Sequence, residues 1–130
     1  MAVAYYFSKV LDAPFDEAIE RTRQALAAQG FGVLTDVDVK QTLEKKLGVA
    51  FRPYRIIGVC SPQHAYTALM VEDKIGLMLP CGMIVQHLED GRVEVAAIDP
   101  AVGMAGVENP KLAEVMAQVR AKLQAVIDAL

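Results

Sequence analysis

The segment from Leu79 to Pro100, LPCGMIVQHLEDGRVEVAAIDP, constrains the fold more than any other part of the chain. Two apolar, β-branched halves flank Asp90 and Gly91, a dipeptide that favours the left-handed conformation a tight reversal requires. The segment is therefore read as an antiparallel hairpin. Two strands alone are marginal in water, so further strands or helices must cover them. A two-residue turn at Asp90 and Gly91 pairs Glu89 with Arg92, His87 with Glu94, Val85 with Ala96 and Met83 with Ile98.

The remaining elements follow from changes of period. Residues 2–10 alternate as a strand, with Val3, Tyr5, Phe7 and Lys9 on one side and Ala4, Tyr6, Ser8 and Val10 on the other. Asp12 is the expected cap of a first helix opened by Pro14, with the stripe Phe15, Ile19, Thr22 and Leu26, ended by Gly30. A strand from Phe31 follows, and Asp38 with Gln41 then marks a short helix carrying Val39, Leu43 and Leu47 and closed by Gly48. The strand Tyr54–Cys60 is apolar on both sides. Ser61 and Pro62 open a helix expected to bury Ala65, Ala68 and Leu69, and Asn109 with Pro110 opens a last helix with a broad stripe from Leu112 to Leu130.

The order β-α-β-α-β-α-β-β-α predicts an α+β domain over residues 1–130: a curved antiparallel sheet with the first and last helices packed on one face. A doubly wound parallel sheet is the weaker alternative, because the hairpin opposes it and no glycine-rich phosphate turn is present. Hydrophobic residues make up 54% of the chain, above an ordinary soluble composition, so apolar surface hidden by self-association is expected. A net charge of -3 without a basic cluster argues against nucleic acid. Neither a signal-peptide pattern nor an apolar run of membrane-spanning length is found, so no membrane partner is expected and a cytoplasmic protein is.

The ordered blocks GFGVLTDVDVKQTLEKKLGV, YRIIGVCSPQHAYTAL and IGLMLPCGMIVQHLEDGRVEVAAIDP resemble the domain-of-unknown-function family 302 over essentially the whole chain. Gly30, Phe31, Leu47, Gly48, Cys60, Pro62, Pro80, Cys81, Gly91 and Pro100 carry the resemblance. It implies a β-α-β(4)-α arrangement of the TATA-binding-protein-like type, here with short extra helices, and a homodimer. It implies no enzymatic activity.

Cys60 ends one strand and Cys81 begins another, so antiparallel neighbours would bring both to one end of the sheet. Gly58 and Gly82 leave room beside them, and Pro80, His64 and Met104 complete the expected ligand-binding set, with Val102 and Met104 as a partial roof. The helix beginning at Ser61 and Pro62 is placed to lower a nearby thiol's pKa. Zinc ligation by Cys60, His64 and Cys81 lacks a fourth residue, and His87 lies about 20 Å along the strand from Cys81. No metal is expected, and no cofactor or enzyme signature is found. Three readings stay open. The favoured one is a homodimer binding a small apolar or sulfur-containing ligand near Cys60 and Cys81; the others are a thiol-based redox enzyme or sulfur carrier, and a purely structural interaction module.

Overall fold

The structure, a computed structural model, describes residues 4–130; positions 2 and 3 of the expected first strand lie outside them. The elements are β1 (Tyr6–Leu11), α1 (Phe15–Ala28), β2 (Gly32–Asp38), α2 (Val39–Leu47), β3 (Tyr54–Cys60), α3 (Pro62–Val71), a 3-10 helix (Asp73–Met78), β4 (Cys81–His87), β5 (Val93–Ile98), α4 (Pro100–Gly103) and α5 (Pro110–Asp128). The strands form one sheet in the order β1-β5-β4-β3-β2, with every neighbouring pair antiparallel. This is the expected α+β architecture, with the parallel alternative excluded.

One face of the sheet is the floor of the core. Leu11, Ile57, Val59, Cys81, Met83, Val85, Val93, Val95 and Ala97 are buried there, and α1 and α5 lie over them. Helix α5 starts where Asn109 accepts hydrogen bonds from the amides of Lys111 and Leu112, with Pro110 in the first turn. The Asn109 side chain also donates to the Val71 carbonyl at 2.8 Å, which ties this start to the end of α3. Such a cap is worth about 1 kcal/mol. Burial of each aliphatic side chain is worth about 1.5–3 kcal/mol. Leu112, Val115, Met116, Val119, Leu123, Val126 and Ile127 are all buried, so packing fixes α5 and the cap sets only its starting residue.

Three local expectations are corrected. Pro14, not Asp12, occupies the N-cap of α1, and no side chain caps that helix. Asp12 lies two residues too early to reach its first amides. In α3 only Ala68 is buried, while Leu69 turns outward at 43% exposure. The late hairpin has a three-residue loop: the Leu88 amide donates to the Arg92 carbonyl at 2.8 Å, Gly91 sits at φ 89°, and Asp90 accepts from the Arg92 amide at 3.0 Å. A type I turn followed by a left-handed glycine needs that third residue. Pairing consequently slips by one, to Val85 with Val95, Gln86 with Glu94, and His87 with Val93. The slip sets Val93, Val95 and Ala97 opposite His87, Val85 and Met83, so like faces meet.

Polar side chains fasten the margins of the sheet. Asp36 on the edge strand β2 accepts two hydrogen bonds from Arg55 on β3, at 2.7 and 2.6 Å, and one from Arg23 on α1 at 2.7 Å. Hydrogen bonding to Arg55 holds its carboxyl below the usual carboxylate range. At the opposite edge, the Lys9 ammonium donates to the main-chain oxygens of Asp128 and Leu130, so β1 grips the end of α5. Asp99 closes β5, caps α4 through the Ala101 amide at 3.0 Å, and pairs with Arg120 at 3.1 Å.

Candidate functional site

Strand alternation sends the other half of the side chains to the opposite face of the sheet, which the helices of the core leave uncovered. The pairing arranges them in three rows. The first runs Tyr6, Ile98, Gly82, Gly58, Thr35; the second Ser8, Ala96, Ile84, Ile56, Val37; the third Val10, Glu94, Gln86, Tyr54. Rows are two residues apart, about 7 Å, so the first and third stand about 13 Å apart. Large side chains line the margins, and Gly82 and Ala96 lie low between them. The result is a groove of about 430 Å³ floored by Gly82, Ile84, Ala96 and Ile98 and flanked by Tyr5, Tyr6 and Tyr54. Tyr6 and Ile56 remain 44% and 43% exposed on this face.

The third row gives the groove a polar end. Gln86 accepts from Arg52 Nε at 3.0 Å and donates to Glu94 Oε1 at 2.8 Å. Its amide orientation follows from chemistry, because the guanidinium only donates and the carboxylate only accepts. The Arg52 guanidinium lies over the Phe51 ring, 4.4 Å from its centroid, and Phe51 packs against Tyr54 with ring centroids 6.0 Å apart.

The seven expected site residues fall in three places. Pro80, Cys81, Gly82 and Met104 line one small cleft of about 90 Å³ together with Met78, Ile98, Pro100 and Gly103. Gly58 pairs with Gly82 and lies beneath the Pro80 ring. Cys60 is one residue beyond Val59, which is directly opposite Cys81, so both cysteines lie at one end of the sheet. Alternation nevertheless gives them opposite faces: Cys81 is buried on the core side, while Cys60 shares the parity of Tyr54, Ile56 and Gly58. His64 stands apart, between the Ser61 hydroxyl at 2.7 Å and the Gln118 side chain at 3.1 Å. Among the described residues no three His, Cys, Asp or Glu side chains converge as a metal site would require. Val102 is exposed, and Met104 alone of the expected roof reaches the cleft.

Burial raises the pKa of both thiols, and that of Cys81 is pushed up to about 11, first by its apolar surroundings and second by the charge Cys60 would carry. The amino-terminal end of α3 does not reverse this. Both residues are free thiols. The cleft beside Cys81 is several times smaller than the roughly 300 Å³ at which small-molecule pockets begin. It shares the lining residues Gly82 and Ile98 with the groove.

The groove residues Ile84, Gln86, Glu94 and Ala96 were not among those expected. Their signal was the strands' lack of a polar side: a sheet covered on one face only ordinarily turns polar residues to the other. The fold and groove define a small α+β domain with one packed and one bare sheet face. A comparison with curated proteins gave no match. The chain is similar to the crystal structure of an uncharacterized conserved protein DUF302 from Bacillus stearothermophilus, with a TM-score of 0.90, 29% identity and 98% of each chain covered. The family model "Domain of unknown function DUF302" matches residues 7–130, and the chain belongs to this family. No helix among the described residues is long and apolar enough to cross a membrane.

Proposed function

We propose that the protein is a non-enzymatic, homodimeric domain that binds a small apolar molecule in the groove on the bare face of its sheet. One observation carries this reading: an apolar floor of Gly82, Ile84, Ala96 and Ile98, flanked by Tyr5, Tyr6 and Tyr54, in a depression of about 430 Å³. That volume falls within the range of small-molecule pockets, which are mostly apolar with a few fixed polar groups. The cleft beside Cys81, which shares Gly82 and Ile98 with the groove, would take a terminal methyl or sulfur atom of such a ligand. The raised pKa of both thiols weighs against the thiol-enzyme reading, because the thiolate is the nucleophile. Free thiols suit the reducing cytoplasm that the sequence suggests.

Gly82 supplies the test. A Cβ built there meets nothing within 4 Å, so the side chain of Gly82→Val starts in open space above the groove floor and takes up part of the groove. The neutral fluorophore N-phenyl-1-naphthylamine is expected to bind the wild-type protein with a blue-shifted emission, and about tenfold more weakly to the variant. Equal titration curves for the two proteins would refute the groove as the binding site.

A separate surface supports self-association. Tyr66, Leu69 and Met70 share one outward face of α3 at 67%, 43% and 68% exposure, and Leu77 and Met78 of the following 3-10 helix continue it at 87% and 47%. Five exposed large apolar side chains on two consecutive elements are the kind of surface that a partner covers. Leu77→Glu places a charge in that patch and is expected to raise the dimer dissociation constant at least about tenfold in analytical ultracentrifugation. A monomeric wild-type protein at micromolar concentration, or a variant that associates equally well, would remove the patch as the contact.

A further inference from the structure

We propose that the groove selects an organic cation: an amine whose hydrocarbon or aromatic body lies over Ile84, Ala96 and Ile98 and whose ammonium group meets Glu94. This rests on the groove reading above and adds the ligand's charge. Glu94 stands at the polar end of the groove, half-buried, in the third row of the bare face. Among the described residues it has no salt-bridge partner, and its side chain's hydrogen-bond partner is the neutral Gln86 amide. An ionised carboxylate accepts several hydrogen bonds, so one from Gln86 leaves most of its capacity open toward the groove.

The neighbouring cation does not fill that capacity. Arg52 is held through its Nε by the Gln86 oxygen, with its guanidinium over Phe51, so Gln86 stands between arginine and carboxylate. The arrangement distinguishes three kinds of ligand. A neutral apolar molecule covering the third row strips water from Glu94 and returns no charge. A carboxylate or sulfate ligand adds repulsion. An ammonium group replaces the lost water with charge-assisted hydrogen bonds, the stronger kind; the Tyr54 ring beside it already carries the Arg52 guanidinium, 5.4 Å from its centroid, so the carboxylate of Glu94 is the group that selects the charge. The separation of about 13 Å between the Glu94 row and the Ile98 row suits a ligand with its charge at one end and an apolar body of about eight carbons.

The experiment uses three probes of equal chain length, n-octylamine, n-octanol and octanoate, each displacing N-phenyl-1-naphthylamine from the wild-type protein, Gly82→Val and Glu94→Gln at neutral pH. The amine is expected to bind about tenfold more tightly than the alcohol, and octanoate more weakly than either. In Glu94→Gln, whose amide can still accept from Gln86, the ratio of amine to alcohol affinity is expected to fall below about twofold. Equal affinities of amine and alcohol in the wild-type protein, or a ratio that Glu94→Gln leaves unchanged, overturn the cation while the groove stands on its loss of alcohol binding in Gly82→Val. Failure of all three probes to displace the fluorophore overturns the groove and the cation together.

Discussion

Gly58→Ala is expected to destabilise the protein by about 1–2 kcal/mol, although it adds one methyl group to a strand whose conformation any residue accepts. Gly58 lies in the middle of β3, on the bare face, between Thr35 of β2 and Gly82 of β4. A Cβ there would come within 2.6 Å of Pro80 Cγ and closer still to Thr35 Oγ1. The threonine can rotate away. The proline ring has no such freedom, so the strands must part or Pro80 must move, and overpacking of this kind costs about 1–3 kcal/mol. Alanine's better strand propensity and its smaller unfolded-state entropy return a few tenths to 1 kcal/mol, too little to change the sign.

The neighbouring glycine provides the control. Gly82 pairs with Gly58 in the same row, yet a Cβ added to it meets nothing within 4 Å, so Gly82→Ala is expected to be neutral or to stabilise by up to about 1 kcal/mol. Urea unfolding at one fixed protein concentration distinguishes the two, through a lower midpoint at unchanged slope for Gly58→Ala. Thr35→Ala combined with Gly58→Ala should recover part of the loss. A midpoint for Gly58→Ala within error of the wild-type value would mean that Pro80 does not press on β3.

The pattern of these residues explains how far the sequence could be read. Helix ends were legible wherever a residue's own chemistry sets them: Gly48 at φ 65°, Gly30 at φ 80°, and Asn109 with its hydrogen bonds to the next amides. The hairpin was legible as a hairpin, but its register was not. Two-residue and three-residue turns both place a left-handed glycine after an acidic residue, and what separates them, the Leu88 amide on the Arg92 carbonyl and the Asp90 contact with the Arg92 amide, is set by the folded backbone. In α3 the apolar residues Ala65, Tyr66, Ala68, Leu69, Met70 and Val71 run round the helix, so periodicity had no polar face with which to choose between Ala68 inward and Leu69 outward. The candidate site was half legible. Pro80, Cys81, Gly82 and Met104 meet because a strand start and a loop after β5 lie at the same end of the sheet. The groove depends on which residues of different strands share a row, and a register wrong by one residue moves Glu94 from beside Gln86 to beside His87.

Cys81 is expected to alkylate about 100-fold more slowly at pH 7.5 than an unperturbed thiol, and its rate should keep rising as the solution approaches pH 11. The thiolate is the reacting species, and the Cys81 pKa is pushed from an ordinary 9.0 to about 11 by burial, with a smaller contribution from Cys60. Two units of pKa make the thiolate about 100-fold scarcer well below both values. Cys60, less buried and raised by burial alone, is expected to react faster than Cys81 and more slowly than a free thiol. The sign also fixes a contribution to stability. A thiol whose folded pKa exceeds its unfolded one holds its proton more tightly in the native state, so ionisation of the unfolded chain draws the protein toward unfolding and the stability contribution of Cys81 is lost progressively from about pH 9 upward. The slope vanishes near pH 11, where the native thiol ionises as well. Iodoacetamide labelling followed by peptide mass spectrometry across pH 7–11 measures both rates. Rapid labelling of Cys81 at neutral pH in the folded protein would show a thiolate that the apolar packing around Met83 and Met104 should forbid, and would restore the thiol-enzyme reading over the binding one.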